Sequence, residues 1–140
     1  MKRKKLIGSS ALALALAGLL VGSAIAAPRA ATLTIRHQMR GCHAWSFNGG
    51  VYKASLKIKL ARGTTLKVID NDVMPHKLIQ LAGAKTRLVA PAMNHMSAQA
   101  EVIFAKKGTY RFKTKAGEDY MSGMKTVGPD NVLRLTVVVS

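Results

Sequence analysis

The 140-residue chain has one cysteine, Cys42, six acidic residues and only seven aromatic side chains. A single thiol cannot close an internal disulfide, so any fold here holds without a covalent cross-link. So few acids provide no paired-carboxylate arrangement, and no hydrolytic triad stands out, so an enzyme is not expected. The scarcity of aromatics leaves too little for a base-stacking platform, which argues against nucleic acid as a partner. Beyond the N-terminal segment there is no helical stripe, no internal repeat, no low-complexity tract and no further run that could cross a membrane.

What the chain does have begins at its N-terminus. MKRKK, the apolar run LIGSSALALALAGLLVGSAIA and the small-residue stretch AIAAPRA have the layout of a secretory signal peptide over residues 1–27. Pro28 just after the Ala-rich end favours cleavage over an uncleaved anchor helix. Residues 28–140 then form one domain, with no room for a second. The leader takes four of the 22 lysines and arginines and none of the six acids, leaving 18 basic against six acidic groups, a net charge of +12. Such a surface steers toward an acidic partner protein or an anionic surface, or simply keeps an exported protein soluble. An oxidising destination leaves three fates for Cys42: an inert buried thiol, an intermolecular disulfide or a metal ligand.

Alternation of apolar and polar residues marks strands. In SLKIKL, Leu56, Ile58 and Leu60 share one face and Lys57 and Lys59 the other. TLTIRHQM puts Leu33, Ile35, His37 and Met39 on one face, which makes His37 a hydrogen-bonded core histidine. NVLRLTVVVS does the same with Leu133, Leu135, Val137 and Val139. TLKVID, HKLIQL, AEVIFA and GTYRFKT add four more, separated by turn-forming stretches such as ARGT, DNDVMP, APAMNHM and AKKG. About seven short strands with turns between them predict an antiparallel sandwich or barrel.

The sulfur and imidazole side chains gather between these strands. Met39, Cys42 and His43 follow the first strand; Met74 and His76 lie in DNDVMPH, Met93, His95 and Met96 in AMNHM, and Met121 and Met124 in EDYMSGM. Methionine used for core filling belongs on strand faces. Thiolate, thioether and imidazole together suit copper.

TLKVIDNDVMPHKLIQL resembles the strand, polar turn and Pro-His of cupredoxins, and FAKKGTYRFKT followed by AGEDYMSGM and a valine-rich last strand is similar to the end of that fold. The likeness spans roughly residues 55 to 140. It implies an all-β, cupredoxin-like Greek-key β-sandwich or barrel with His76 and a loop methionine, Met124 or Met121, as copper ligands. The departures are specific: Thr114 stands at the family's cysteine position, and Glu118 or Asp119 where the second histidine belongs. In such a fold the loops bearing this chain's ligands converge at one end, so Cys42 and His43 are expected to replace the lost pair. Adjacent residues on a strand point to opposite faces, so this requires a turn at Cys42–His43, which Gly41 and the following NGG favour. His95 is the substitute imidazole if His43 points outward.

The function these expectations imply is an exported, periplasmic or extracellular copper protein carrying single electrons through one mononuclear site. Its partner would be a redox or copper-exchange protein with an acidic surface. Copper storage or delivery without a redox role is the alternative, a metal-free structural sandwich a third reading. Zinc in a Cys-His-His site is open as well.

Overall fold

The computed structural model describes residues 31–38, 42–116 and 132–140, with only the backbone at Gln38 and Cys42. The leader, Met39, Glu118, Asp119, Met121 and Met124 lie outside the described residues.

Ten strands make two five-stranded sheets. They are β1 (Ala31–Gln38), β2 (Cys42–Phe47), β3 (Ser55–Leu60), β4 (Thr65–Asn71), β5 (His76–Ala82), β6 (Arg87–Val89), β7 (Ala92–Met93), β8 (Ala98–Ile103), β9 (Gly108–Ala116) and β10 (Val132–Val139). One sheet runs β2-β1-β4-β8-β6 and the other β3-β10-β9-β5-β7, so the chain crosses repeatedly between layers, as a Greek-key sandwich requires. The sheets are mixed rather than purely antiparallel: β1 pairs with β4, and β10 with β3, in parallel. Sheet-to-sheet crossings bring strands back in the same direction, which alternation along single strands does not reveal.

The seven strands read from alternation are all present, and their apolar residues face the interior. Ile58 and Leu60 of β3, and Leu133, Leu135, Val137 and Val139 of β10, are buried, while Lys57, Lys59 and Arg134 on the opposite faces are exposed. Leu33, Ile35, Trp45, Phe104, Tyr110 and Phe112 fill the centre.

Three strands escaped the alternation rule. In β2, four consecutive residues from His43 to Ser46 are buried, so there is no polar face to alternate with. Part of the cover is the segment after β2, bridged to it by Trp45 and Lys53 through paired backbone hydrogen bonds of 3.0 Å. The chain turns there at Asn48 and Gly49, with φ of 48° and 75°, and Gly50 N–H closes on the Phe47 carbonyl at 2.9 Å. Both central residues at positive φ define a type I′ turn, which explains the Asn-Gly pair. β6 and β7 are too short to show a period. Met93, on β7, is fully buried in the core cluster, and Met74 is also buried. Met93 is therefore a strand residue packed as a hydrophobe rather than a loop methionine, while Met74 stays in the turn between β4 and β5 with its side chain buried.

Candidate metal centre

The inward face of β4 runs Leu66, Val68, Asp70, and the same face continues past the strand to Asp72. Both acids are buried and shape the turn to β5. Asp72 N–H donates to Asp70 Oδ1 at 2.9 Å, and Met74 N–H to Asp72 Oδ1 at 3.2 Å. Two successive Asx turns therefore fold DNDVMP and deliver His76 to the first position of β5.

From the same sheet as β4, and opposite β5, β1 and β2 bring His37 and His43 to the same carboxylate. The two are direct cross-strand partners. His43 Nδ1 lies 2.5 Å from Asp72 Oδ2, and His76 Nε2 lies 3.2 Å from the same oxygen. His37 Nδ1 is 3.8 Å from Oδ1. The rings of His43 and His76 meet edge to face with centroids 4.8 Å apart, and both side chains are fully buried.

Burial pushes the Asp72 carboxyl up, but hydrogen bonds from His43, His76 and the Met74 amide, with the charge on His43, together hold it well below the usual carboxylate range. An ionised carboxylate only accepts, so both imidazoles donate to it. Asp70 goes the other way: burial dominates and raises its pKa, against the opposing pull of the Asp72 amide and His76. Its Oδ2 has no partner among the described residues.

Two imidazoles each giving one nitrogen to Asp72 keep one nitrogen apiece. Those atoms, His43 Nε2 and His76 Nδ1, are buried and have no hydrogen-bond partner among the described residues. When each ring is neutral and its N–H is spent on the carboxylate, the remaining nitrogen carries a lone pair, the form in which imidazole binds metals. A carboxylate behind a ligating histidine fixes its tautomer and ring orientation. Copper, zinc and other borderline ions accept imidazole, so each of these two nitrogens has the chemistry of a ligand to such an ion. His37, His43 and Asp72 offer a further set, with ligand atoms all within 4.8 Å of one another. Beside His76 a surface pocket of about 250 Å³ opens between Pro75, Asn94 and Lys115.

The expected site residues meet this geometry unevenly. His43 and His76 come together at Asp72. His95 sits on an exposed turn, its Nδ1 2.9 Å from the Met96 carbonyl, and takes no part in the bonds to Asp72. Cys42 is the first residue of β2, paired with Gln38, so the turn expected at Cys42–His43 is not there: the backbone at both is strand. His37 shares the inward face but stands at its rim with 52% of its side chain exposed, which corrects its reading as a core histidine. Met121, Met124, Glu118 and Asp119 fall outside the described residues. Thr114 is fully buried, and its hydroxyl has no partner among the described residues.

Asp72 was missed because DNDVMP reads as a solvated turn. One signal was available: Asp70 and Asp72 continue the two-residue period of Leu66 and Val68, which marks them as facing inward.

Solved cupredoxins are among the structures to which this chain is similar. A purple cupredoxin from Nitrosopumilus maritimus is 20% identical over 79% of this chain and 99% of its own, with a TM-score of 0.44. A reduced Cu(I) form of an amicyanin mutant is 18% identical over 84% of this chain and 88% of its own, at 0.39. A cysteine protease inhibitor from Entamoeba histolytica is 11% identical over 81% of this chain and 100% of its own, at 0.40. Identities this low carry no ligand across. No family model matches the sequence, and no curated protein matches it either.

Proposed function

We propose that the chain is an exported copper protein that passes single electrons through one mononuclear site, with the imidazoles of His43 and His76 as its nitrogen ligands. The observation that carries this is the pair of buried imidazoles from opposite sheets, each anchored to Asp72 and each with an unpartnered nitrogen. Copper would supply the one-electron couple, and thioether and thiolate donors would tune it. The chain's part is to hold the ligands still: both rings are fully buried and braced by a carboxylate that is itself bonded to the Met74 amide. A fixed, water-excluded ligand pair changes little between oxidation states, which suits electron transfer better than metal exchange. Cys42 is the proposed thiolate, which requires this first residue of β2 to leave the strand when copper binds, since adjacent strand residues face opposite ways; Met124 or Met121 is the proposed weak thioether, and the redox partner is a protein with an acidic surface.

The test is addition of Cu(II) to the mature protein recovered from export of the full chain. An intense thiolate-to-copper band in the visible, abolished by Cys42→Ser, supports the whole assignment. Copper bound without that band, unaffected by Cys42→Ser, removes the thiolate and the electron-transfer role with it. No binding of Cu(II) or Cu(I) overturns the proposal.

Copper storage or delivery is the second reading, and the half-exposed His37 at the rim beside Asp72 favours it. Such a ligand at the mouth gives an incoming ion a first foothold. Cu(I) binding without a coloured Cu(II) form distinguishes it.

A further inference from the structure

The two outer faces of the sandwich differ sharply in charge. On the β2-β1-β4-β8-β6 sheet, the outward side chains are mixed, with Thr32, Thr34, Thr65, Asn71 and Gln99 beside only three cations, Arg36, Lys67 and Arg87, and Lys67 faces Glu101 across the β4–β8 pair. On the β3-β10-β9-β5-β7 sheet, the outward positions hold Lys57 and Lys59 of β3, Arg134 of β10, Arg111, Lys113 and Lys115 of β9, and Lys77 of β5. No acidic residue lies among these four strands. The described ion-pair contacts are all histidines with Asp72, so none of these seven cations has an acidic partner among the described residues.

The arrangement works against folding. Lys77 stands directly opposite Lys115, and Arg134 directly opposite Lys113. Directly opposed like charges destabilise a sheet, and a sequence needing only solubility spreads its charge or mixes signs. Two such pairs on one face point to a counter-charge supplied from outside.

We infer that this face is an adsorption surface for an anionic lipid bilayer. Its cations stand about 4.8 Å apart across strands and about 6.8 Å apart along them, spread over four adjacent strands, and only Lys77 and Lys115 border the pocket beside His76. Half-buried Ile79, Thr136 and Val138 lie between them, with no aromatic to stack a sugar or base. A plane of lipid phosphates matches that expanse, whereas a polyanionic chain calls for a stripe or cleft. Adsorption in this orientation lays the sandwich on its side and leaves the histidine end free at the level of the bilayer surface. The inference does not depend on copper.

The test uses the metal-free mature protein, recovered from export of the full chain, with phosphatidylcholine vesicles containing or lacking phosphatidylglycerol. Two variants with equal charge change are compared: Lys57→Glu, Lys59→Glu, Arg111→Glu and Arg134→Glu on the face, against Lys85→Glu, Arg87→Glu, Lys106→Glu and Lys107→Glu elsewhere. Circular dichroism confirms that each folds. Binding to the anionic vesicles only, weakened by salt, falling at least about tenfold in the face variant and less than about threefold in the control, is the expected result. Equal losses in both variants would show net charge rather than a face and overturn the inference. So would an absence of vesicle binding, or tight binding to soluble polyglutamate that vesicles do not match. If the face variant does not fold, the single substitutions Lys57→Glu and Arg111→Glu carry the same comparison.

Discussion

Replacing Asp72 removes the one acceptor that three buried donors share. Its oxygens take the Nδ1–H of His43, the Nε2–H of His76 and the amide of Met74, at 2.5, 3.2 and 3.2 Å. Each buried donor left without an acceptor costs about 1–3 kcal/mol. Removing the carboxylate also lifts its own burial penalty, so the net loss for Asp72→Ala falls at about 3–5 kcal/mol, the range for breaking a buried pair. In a domain of this size that lowers the melting midpoint by roughly 12–25 °C. Asp72→Asn keeps one oxygen and loses about half as much, because its amide N–H₂ faces an imidazole donor. Urea denaturation followed by circular dichroism on the metal-free mature protein measures both. The pH dependence adds a sign. The folded-state carboxyl sits below the unfolded value of about 3.9, so its stabilisation is complete above that value and fades as pH falls through the folded pKa. The gap between native protein and Asp72→Asn must therefore narrow on acidification below about pH 4. A loss under about 1 kcal/mol for Asp72→Ala, or a gap that widens there, refutes the view of Asp72 as the brace of the histidine pair.

Other substitutions test separate parts of the structure. Gly83 has φ of 98°, and a Cβ there would lie 2.8 Å from both the Thr109 carbonyl and the Tyr110 ring; Gly83→Ala should cost about 2–3 kcal/mol in urea denaturation, and a neutral result contradicts the β5–β9 packing. Thr114→Val exchanges a buried hydroxyl lacking a described partner for a methyl, and should stabilise by about 1 kcal/mol; a clear loss means that the hydroxyl is bonded after all. Trp45, the single tryptophan, is fully buried two residues from His43 on the same strand face. Cu(II) should quench its fluorescence in the native protein and not in His43→Ala; equal quenching in both moves the ion elsewhere.

The sequence made the sandwich readable wherever one side of a strand meets water: β3, β4 and β10 announce themselves through Lys57, Lys59, Lys67 and Arg134 between apolar residues. It hid β2, whose two faces are both covered, and so the strand that carries His43 passed for irregular chain. Of the site, His76 was legible from its Pro-His turn, and His43 from its place beside an unexplained thiol. Asp72 was not, since an acid in a polar turn is normally solvated and only the burial of both neighbouring layers makes it an anchor. His37 shows the converse error: correct face, but one residue pair beyond where the second sheet still covers it. The bearing of Cys42 on the site is a question of strand geometry, which no pattern of residue types expresses.

The nitrogen count at bound copper tests the central claim most directly. Electron paramagnetic resonance of the mature protein with one equivalent of Cu(II) is expected to show coupling to two imidazole nitrogens, reduced to one in His43→Ala and in His76→Ala, with each variant still folded. A spectrum unchanged by both substitutions would contradict it.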